Sequence, residues 1–170
     1  MYSNHDAIDF YNGDGTDPQG NTAADYMAFT TQDWDERHDI IQWAFPTHVM
    51  SKFNPDAPLI DVSTLQLLSN DQLIRLRSTQ RHILLSYLHS IGIGRLLKPE
   101  FVLLEGGYDV SQTSHQHLRI TRVITSLRLF GQDEIAANFG RFMLLLAEQF
   151  PHRINNLTVE FWNKALTEKL

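Results

Sequence analysis

Asp33-Trp34-Asp35-Glu36-Arg37-His38-Asp39-Ile40-Ile41-Gln42-Trp43-Ala44-Phe45-Pro46 reads as a helix with both ends marked. Asp33 has the chemistry of an N-cap, and Glu36, three residues on, can return a bond to the cap. Trp34, Ile41 and Phe45 recur at helical spacing, and Ile40 and Trp43 cover an adjacent strip, so the helix is apolar over much of its girth. Pro46 stops it, because the residue before a proline is pushed out of the α region. Phe53-Asn54-Pro55-Asp56-Ala57-Pro58-Leu59 then reads as an extended loop fixed by prolines. We expect this span to anchor a domain, with Trp43 and Phe45 buried and His38 held on the apolar stripe as a hydrogen-bonded core histidine.

The segments downstream are helical by the same criterion. Asp61 or Ser63 can start a short helix around Leu65–Leu68. Asn70 caps a long one over Asp71–Ser90, in which Leu73, Leu76, Ile83, Leu84, Tyr87 and Leu88 follow the 3.6-residue period. Gly92 and Gly94 end it; Gly-Ile-Gly has no preceding strand and no third glycine, so a phosphate loop is not indicated. Glu100–Leu104 is a short apolar run with extended character, and Glu105–Thr113 is a loop. Ser111 or Ser114 opens a helix over His115–Phe130, which Gly131 closes. Asp133 and Glu134 start the next, burying Ile135, Phe139, Phe142, Met143, Leu146 and Phe150. A last helix, about Thr158–Lys169, turns Phe161, Trp162, Ala165 and Leu166 inward.

The spacing thus predicts an all-α fold: a single compact bundle of five to six antiparallel helices over residues 31–170, preceded by an irregular acidic arm over residues 1–30. Residues 1–36 hold eight acids and no Lys or Arg, whereas the remainder has 14 basic residues against 12 acids. An acidic arm before a mildly basic body argues against a nucleic-acid partner, which would call for a concentrated basic face. Asn12-Gly13-Asp14-Gly15-Thr16-Asp17 mimics a calcium loop, but Asp17 stands at the turn-glycine position and Ala23 where the bidentate Glu belongs. No cysteine is present, which removes thiol catalysis and cysteine-ligated zinc. No apolar run approaches the roughly 20 residues of a membrane helix. A cytoplasmic setting is expected, nuclear in a eukaryote, with no membrane partner.

Two segments together resemble a known family. His38-Asp39-Ile40-Ile41-Gln42-Trp43-Ala44-Phe45-Pro46, followed by Phe53-Asn54-Pro55-Asp56-Ala57-Pro58-Leu59, is similar to the His-Asp-Tyr-Ile-Gln-Trp-Leu-Phe-Pro and Asn-x-x-Ala-Pro-Leu signature of the opioid growth factor receptor domain. His115-Gln116-His117-Leu118-Arg119-Ile120-Thr121-Arg122-Val123-Ile124 resembles its second signature, His-Asn-x-Leu-Arg-Ile-Thr-Arg-Ile-Leu. Ala44 and Gln116 depart from the pattern. The resemblance spans about Trp34 to Phe150. Its animal members are receptors for an endogenous opioid pentapeptide that act at the nucleus, which implies a helical binding domain.

The candidate ligand-binding residues are the polar members of both signatures: His38, Asp39, Gln42, Asn54, His115, His117, Arg119 and Arg122. They suit a non-enzymatic module that engages a peptide or partner protein through a polar pocket between the signature helices. Arg119 and Arg122 lie three apart, as do Glu36 and Asp39, so ion pairing of the two sets is the structural expectation. The alternative is a metal-assisted hydrolase using His38, Asp39, His115 and His117. These lack the i, i+4 spacing of a helical zinc pair, and no catalytic residue, metal ligand or cofactor is assigned.

Overall fold

A computed structural model describes residues 4–95, 100–111 and 114–170. The chain divides into two compact units, Met1–Ser90 and Ile91–Leu170. The sequence expectation draws the boundary elsewhere, as an arm over 1–30 and one domain over 31–170.

In the first unit, α1 (Asn4–Asn12), α2 (Ala23–Met27) and α3 (Thr31–Glu36) pack on the long α6 (Asn70–Ser90), while α4 (Ile41–Ala44) and α5 (Val62–Gln66) are single turns between them. The stretch expected as an irregular arm is largely structured. Phe10 and Tyr26 have no exposed surface, and Phe10 meets Tyr26 and Trp43 edge-on at 4.9 and 5.4 Å between ring centroids. Asp6, Asp9 and Asp25 lie on exposed or half-exposed faces of helices whose aromatic side chains are buried, and Asp17 is itself buried in the turn between them, which composition alone does not show. Residues 1–3 of that stretch lie outside the described region.

The anchor helix is also corrected: α3 and α4 replace it. Thr30, not Asp33, caps α3, and Asp33 returns the reciprocal bond to the Thr30 backbone. Arg37 is extended, at φ −92° and ψ 116°, so the chain leaves the helix before His38 and re-enters it at Ile41. Burial of the apolar side chains survives this break. Trp34, Trp43 and Phe45 are all buried, and Trp34 and Phe45 both pack on Tyr87 of α6. Ser86, one position earlier on α6, accepts from Trp34 Nε1 at 3.0 Å and donates to the Tyr26 carbonyl at 3.1 Å. A single serine thereby fixes α2 and α3 to the same helix. Asp61 caps α5 as expected, but α6 is capped by Ser69, whose hydroxyl accepts from Gln72 N while Gln72 Oε1 accepts from Ser69 N.

In the second unit, α7 (Gln116–Leu129), α8 (Asp133–Gln149) and α9 (Asn156–Thr167) pack on one another. Arg128 of α7 donates to the carbonyls of Ala165 and Glu168, satisfying free acceptors at the end of α9. Trp162 and Ala165 face inward as read, but Phe150 and Phe161 are exposed. The expected extended run is β2 (Phe101–Leu103), and it pairs antiparallel with an unforeseen β1 (Ile93–Arg95), Ile93 opposite Leu103. Gly92 does end α6, at φ +82°, and it also lies so close to Gly107 that a Cβ would stand 2.2 Å from the Gly107 carbonyl oxygen. Thr113, at the end of the expected loop, lies outside the described residues. Among the described residues there are nine helices and one two-stranded sheet, more and shorter helices than the five or six expected.

Candidate functional site

The first signature folds into a closed loop. Ile60 N donates to the Thr47 carbonyl at 3.0 Å, joining the ends of the 47–60 segment. Ser51 organises its interior, accepting from Phe53 N at 3.2 Å, Asn54 N at 3.3 Å and Gln42 Nε2 at 3.4 Å. Asn54 Nδ2 donates to the Asp39 carbonyl at 3.1 Å, so this amide ties the loop to the bend that leads into α4. Gln42 is buried, and its Oε1 has no hydrogen-bond partner among the described residues. That atom is an unused acceptor beneath the loop, a costly arrangement unless a donor reaches it. Around this polar interior the loop exposes Val49, Met50 and Phe53, the last at 79% of its full surface.

The remaining two candidates of the first signature behave differently from expectation. His38 is exposed rather than buried, because the extended Arg37 ends the helix that would have turned it inward. Asp39 is satisfied within its own unit: Oδ2 accepts from Gln19 Nε2 at 2.9 Å, and Oδ1 lies 3.8 Å from Arg37 Nε. Glu36 accepts from Gln32 one turn earlier. Both acids, which the sequence reading pairs with the arginines of the second signature, have these partners within the first unit.

In the second signature His117 is the organised residue. It is buried, and its Nε2 lies 2.8 Å from the Ser111 carbonyl, a partner that can only accept. Nε2 therefore carries the proton, and Nδ1 accepts from the Tyr108 hydroxyl at 2.6 Å. Burial is the main reason its pKa is lowered; the Ser111 carbonyl and Asp109 act in the opposite sense. Trp162 Nε1 donates to the His117 carbonyl at 3.0 Å, so ring and backbone of this one residue join the 108–111 loop and α9 to α7. His115 is exposed, with its ring 3.0 Å from the Gln116 amide. Arg119 is buried, and burial draws the Arg122 guanidinium down to a pKa of about 10.

The eight candidates thus divide into His38, Asp39, Gln42 and Asn54 in the first unit and His115, His117, Arg119 and Arg122 in the second. Among the described residues no group of three or more His, Asp and Glu side chains is arranged to hold a metal ion. Sequence reading missed Ser51, Tyr108, Arg37 and Asp17. Asp17 had a legible signal, since Asp-Pro-x-Gly is strong turn chemistry in which the Asp bonds the backbone two residues on.

The whole chain carries one family profile. The opioid growth factor receptor (OGFr) conserved region matches residues 3–169. The chain belongs to this family. The match takes in residues 3–30, in keeping with the packing of α1 and α2 in the first unit, so the OGFr conserved region begins well before Trp34. No curated protein and no solved structure matches the chain. Among the described residues no helix of this OGFr-family chain is long and apolar enough to cross a membrane.

Proposed function

We propose that the chain is a non-enzymatic binding module that engages a peptide or partner protein through the loop of the first signature. The carrying observation is the pairing of a rigid base with an apolar rim: Thr47–Ile60 and Ser51 fix the loop, while Val49, Met50 and Phe53 are exposed within five residues. Ordered loops on a rigid scaffold are where binding residues concentrate, and large exposed apolar side chains mark contact surfaces. The hydrolase alternative is weaker, because both ring nitrogens of His117 are engaged in hydrogen bonds and Asp39 is paired to Arg37. A cytoplasmic or nuclear setting belongs to the same proposal, on the absence of cysteine.

Selection of a displayed random-peptide library on the full chain tests this. Enrichment of peptides carrying an apolar anchor, lost in both Met50→Ser and Phe53→Ser with thermal stability unchanged, is the expected result. No enrichment, or enrichment indifferent to both substitutions, overturns it.

A further inference from the structure

A polar cleft of about 580 Å³ lies in the first unit, between the end of α1 and one face of α6. Gly13, at φ +83°, reverses the chain after α1, and Asp14 N and Gly15 N both donate to the Asp9 carbonyl. This tight turn carries Asn12 and Asp14 to one wall, and Gln72, Arg75 and Ser78 of α6 supply the other. The walls are held together: the Thr79 hydroxyl donates to the Tyr11 carbonyl at 3.1 Å, and the Tyr11 hydroxyl donates to the Ala44 carbonyl. The cleft is therefore built before any ligand arrives.

Its charges are unspent. Asp14 and Arg75 line the same cleft and are exposed, and among the described residues neither side chain has a hydrogen-bond or ion-pair partner, each other included. The Asn12 amide and Ser78 hydroxyl are likewise unengaged among the described residues. Among the described residues the Gln72 side chain commits only its Oε1, to Ser69 N.

We propose that this cleft binds a small zwitterion of the free amino-acid class. The ligand carboxylate meets the Arg75 guanidinium, whose planar fork suits it, and the ammonium meets Asp14. Asn12, Gln72 and Ser78 serve the remaining polar atoms. Each simpler ligand leaves one charge opposed: an inorganic anion faces Asp14, and a metal cation faces Arg75. A neutral sugar uses neither charge and finds no aromatic face, since Tyr11 is buried. Exposed charge pairs are individually weak, so a Kd on the order of 0.1–1 mM is expected. This site is separate from the 47–60 loop and does not depend on the function proposed for it.

The test is a backbone-amide NMR titration of the full chain with the 20 common amino acids, their carboxamides and their N-acetyl derivatives, up to about 10 mM. At least one free amino acid should give saturable shifts confined to the neighbourhood of residues 12–14 and 72–79. Arg75→Gln should weaken binding about tenfold and erase preference for the acid over the carboxamide. Asp14→Asn should erase preference for the free amine over the acetylated one. Both residues are exposed and unpartnered among the described residues, so both variants should melt like the parent, and Phe53→Ser should bind the amino acid normally. Absence of saturable shifts for every probe overturns the proposal. So does binding that survives both substitutions, or tighter binding of inorganic phosphate or calcium at the same residues.

Discussion

Tyr26 donates its hydroxyl hydrogen bond to Asp17 Oδ2 at 2.8 Å, and both side chains are buried. The same carboxylate accepts from Gln19 N, Asn21 N and Asn21 Nδ2, and Arg37 Nη2 lies 3.5 Å away. Arg37 in turn donates to Gln19 Oε1 and stacks over the Phe29 ring. One acid of the N-terminal stretch is thus the centre on which the 17–21 turn, α2 and the end of α3 converge. Burial and the neighbouring Asp17 charge push the Tyr26 phenol far up, so it stays a donor at all ordinary pH. Asp17→Ala should cost roughly 2–4 kcal/mol, because it strands several buried donors together with Arg37. Tyr26→Phe should cost about 1 kcal/mol, and the double variant less than the sum. Chemical denaturation of the four proteins measures this; additive losses would mean that the two groups do not act together.

Trp43 and Phe45 are nearly or wholly buried in the first unit, Trp43 against Phe10 and Phe45 against Tyr87. Truncating either to Ala should cost roughly 3–5 kcal/mol, since the surrounding aromatics cannot close the gap. A thermal scan in which either variant melts like the parent would contradict this.

His117 carries a pH dependence with a defined sign. Its folded pKa lies below the ordinary 6.5, chiefly through burial, so the unfolded chain takes up a proton first on acidification. The stability this residue contributes is fully present above 6.5 and is lost as pH falls through that value toward the lowered one. His117→Gln should flatten the stability–pH curve in that window relative to the parent. Tyr108→Phe, which leaves Nδ1 without its donor, should cost about 1–3 kcal/mol at neutral pH.

Asp25 and Asp33 give a second, more acidic window. Each accepts backbone and hydroxyl bonds from its capping threonine, Thr22 or Thr30, which lowers its pKa below 3.8. Their contribution is present above 3.8 and is lost as pH falls through the depressed folded values. Asp25→Asn with Asp33→Asn should reduce stability at neutral pH and shrink the further loss on acidification. An unchanged acid limb would place the titrating groups elsewhere.

Gly92→Ala meets two obstacles at once, a φ of +82° and a Cβ position 2.2 Å from the Gly107 carbonyl oxygen. The backbone strain alone costs about 1–3 kcal/mol, and the clash is with main chain, which cannot rotate away. A loss above about 2 kcal/mol in denaturant unfolding is expected; a loss within 0.5 kcal/mol, as at an ordinary surface position, would show that the close approach relaxes freely.

The helices α6, α7 and α8 were legible in the sequence because periodicity, caps and glycine stops are local properties. The family was legible for a similar reason, since its signatures are contiguous. The anchor helix was misread at Arg37. Its residues allow a continuous helix, and the break has no breaker residue; it accompanies contacts of Arg37 with Asp17 and Gln19 some 20 positions earlier. The same distance hid the N-terminal stretch: its acids read as a solvated arm, while Phe10, Tyr11 and Tyr26 are buried on α1 and α2. Among the candidate site residues, sequence reading singled out the polar members of the signatures. It had no means of saying which would be spent on structure, because a hydrogen bond such as Tyr108 to His117, or Asn54 to the Asp39 carbonyl, depends on where a loop returns in space. Local propensity along the chain determined the helices. Only the tertiary structure decided that His117 and Asp39 are satisfied internally, while Gln42 keeps a free acceptor and Asp14 and Arg75 share a cleft without partners among the described residues.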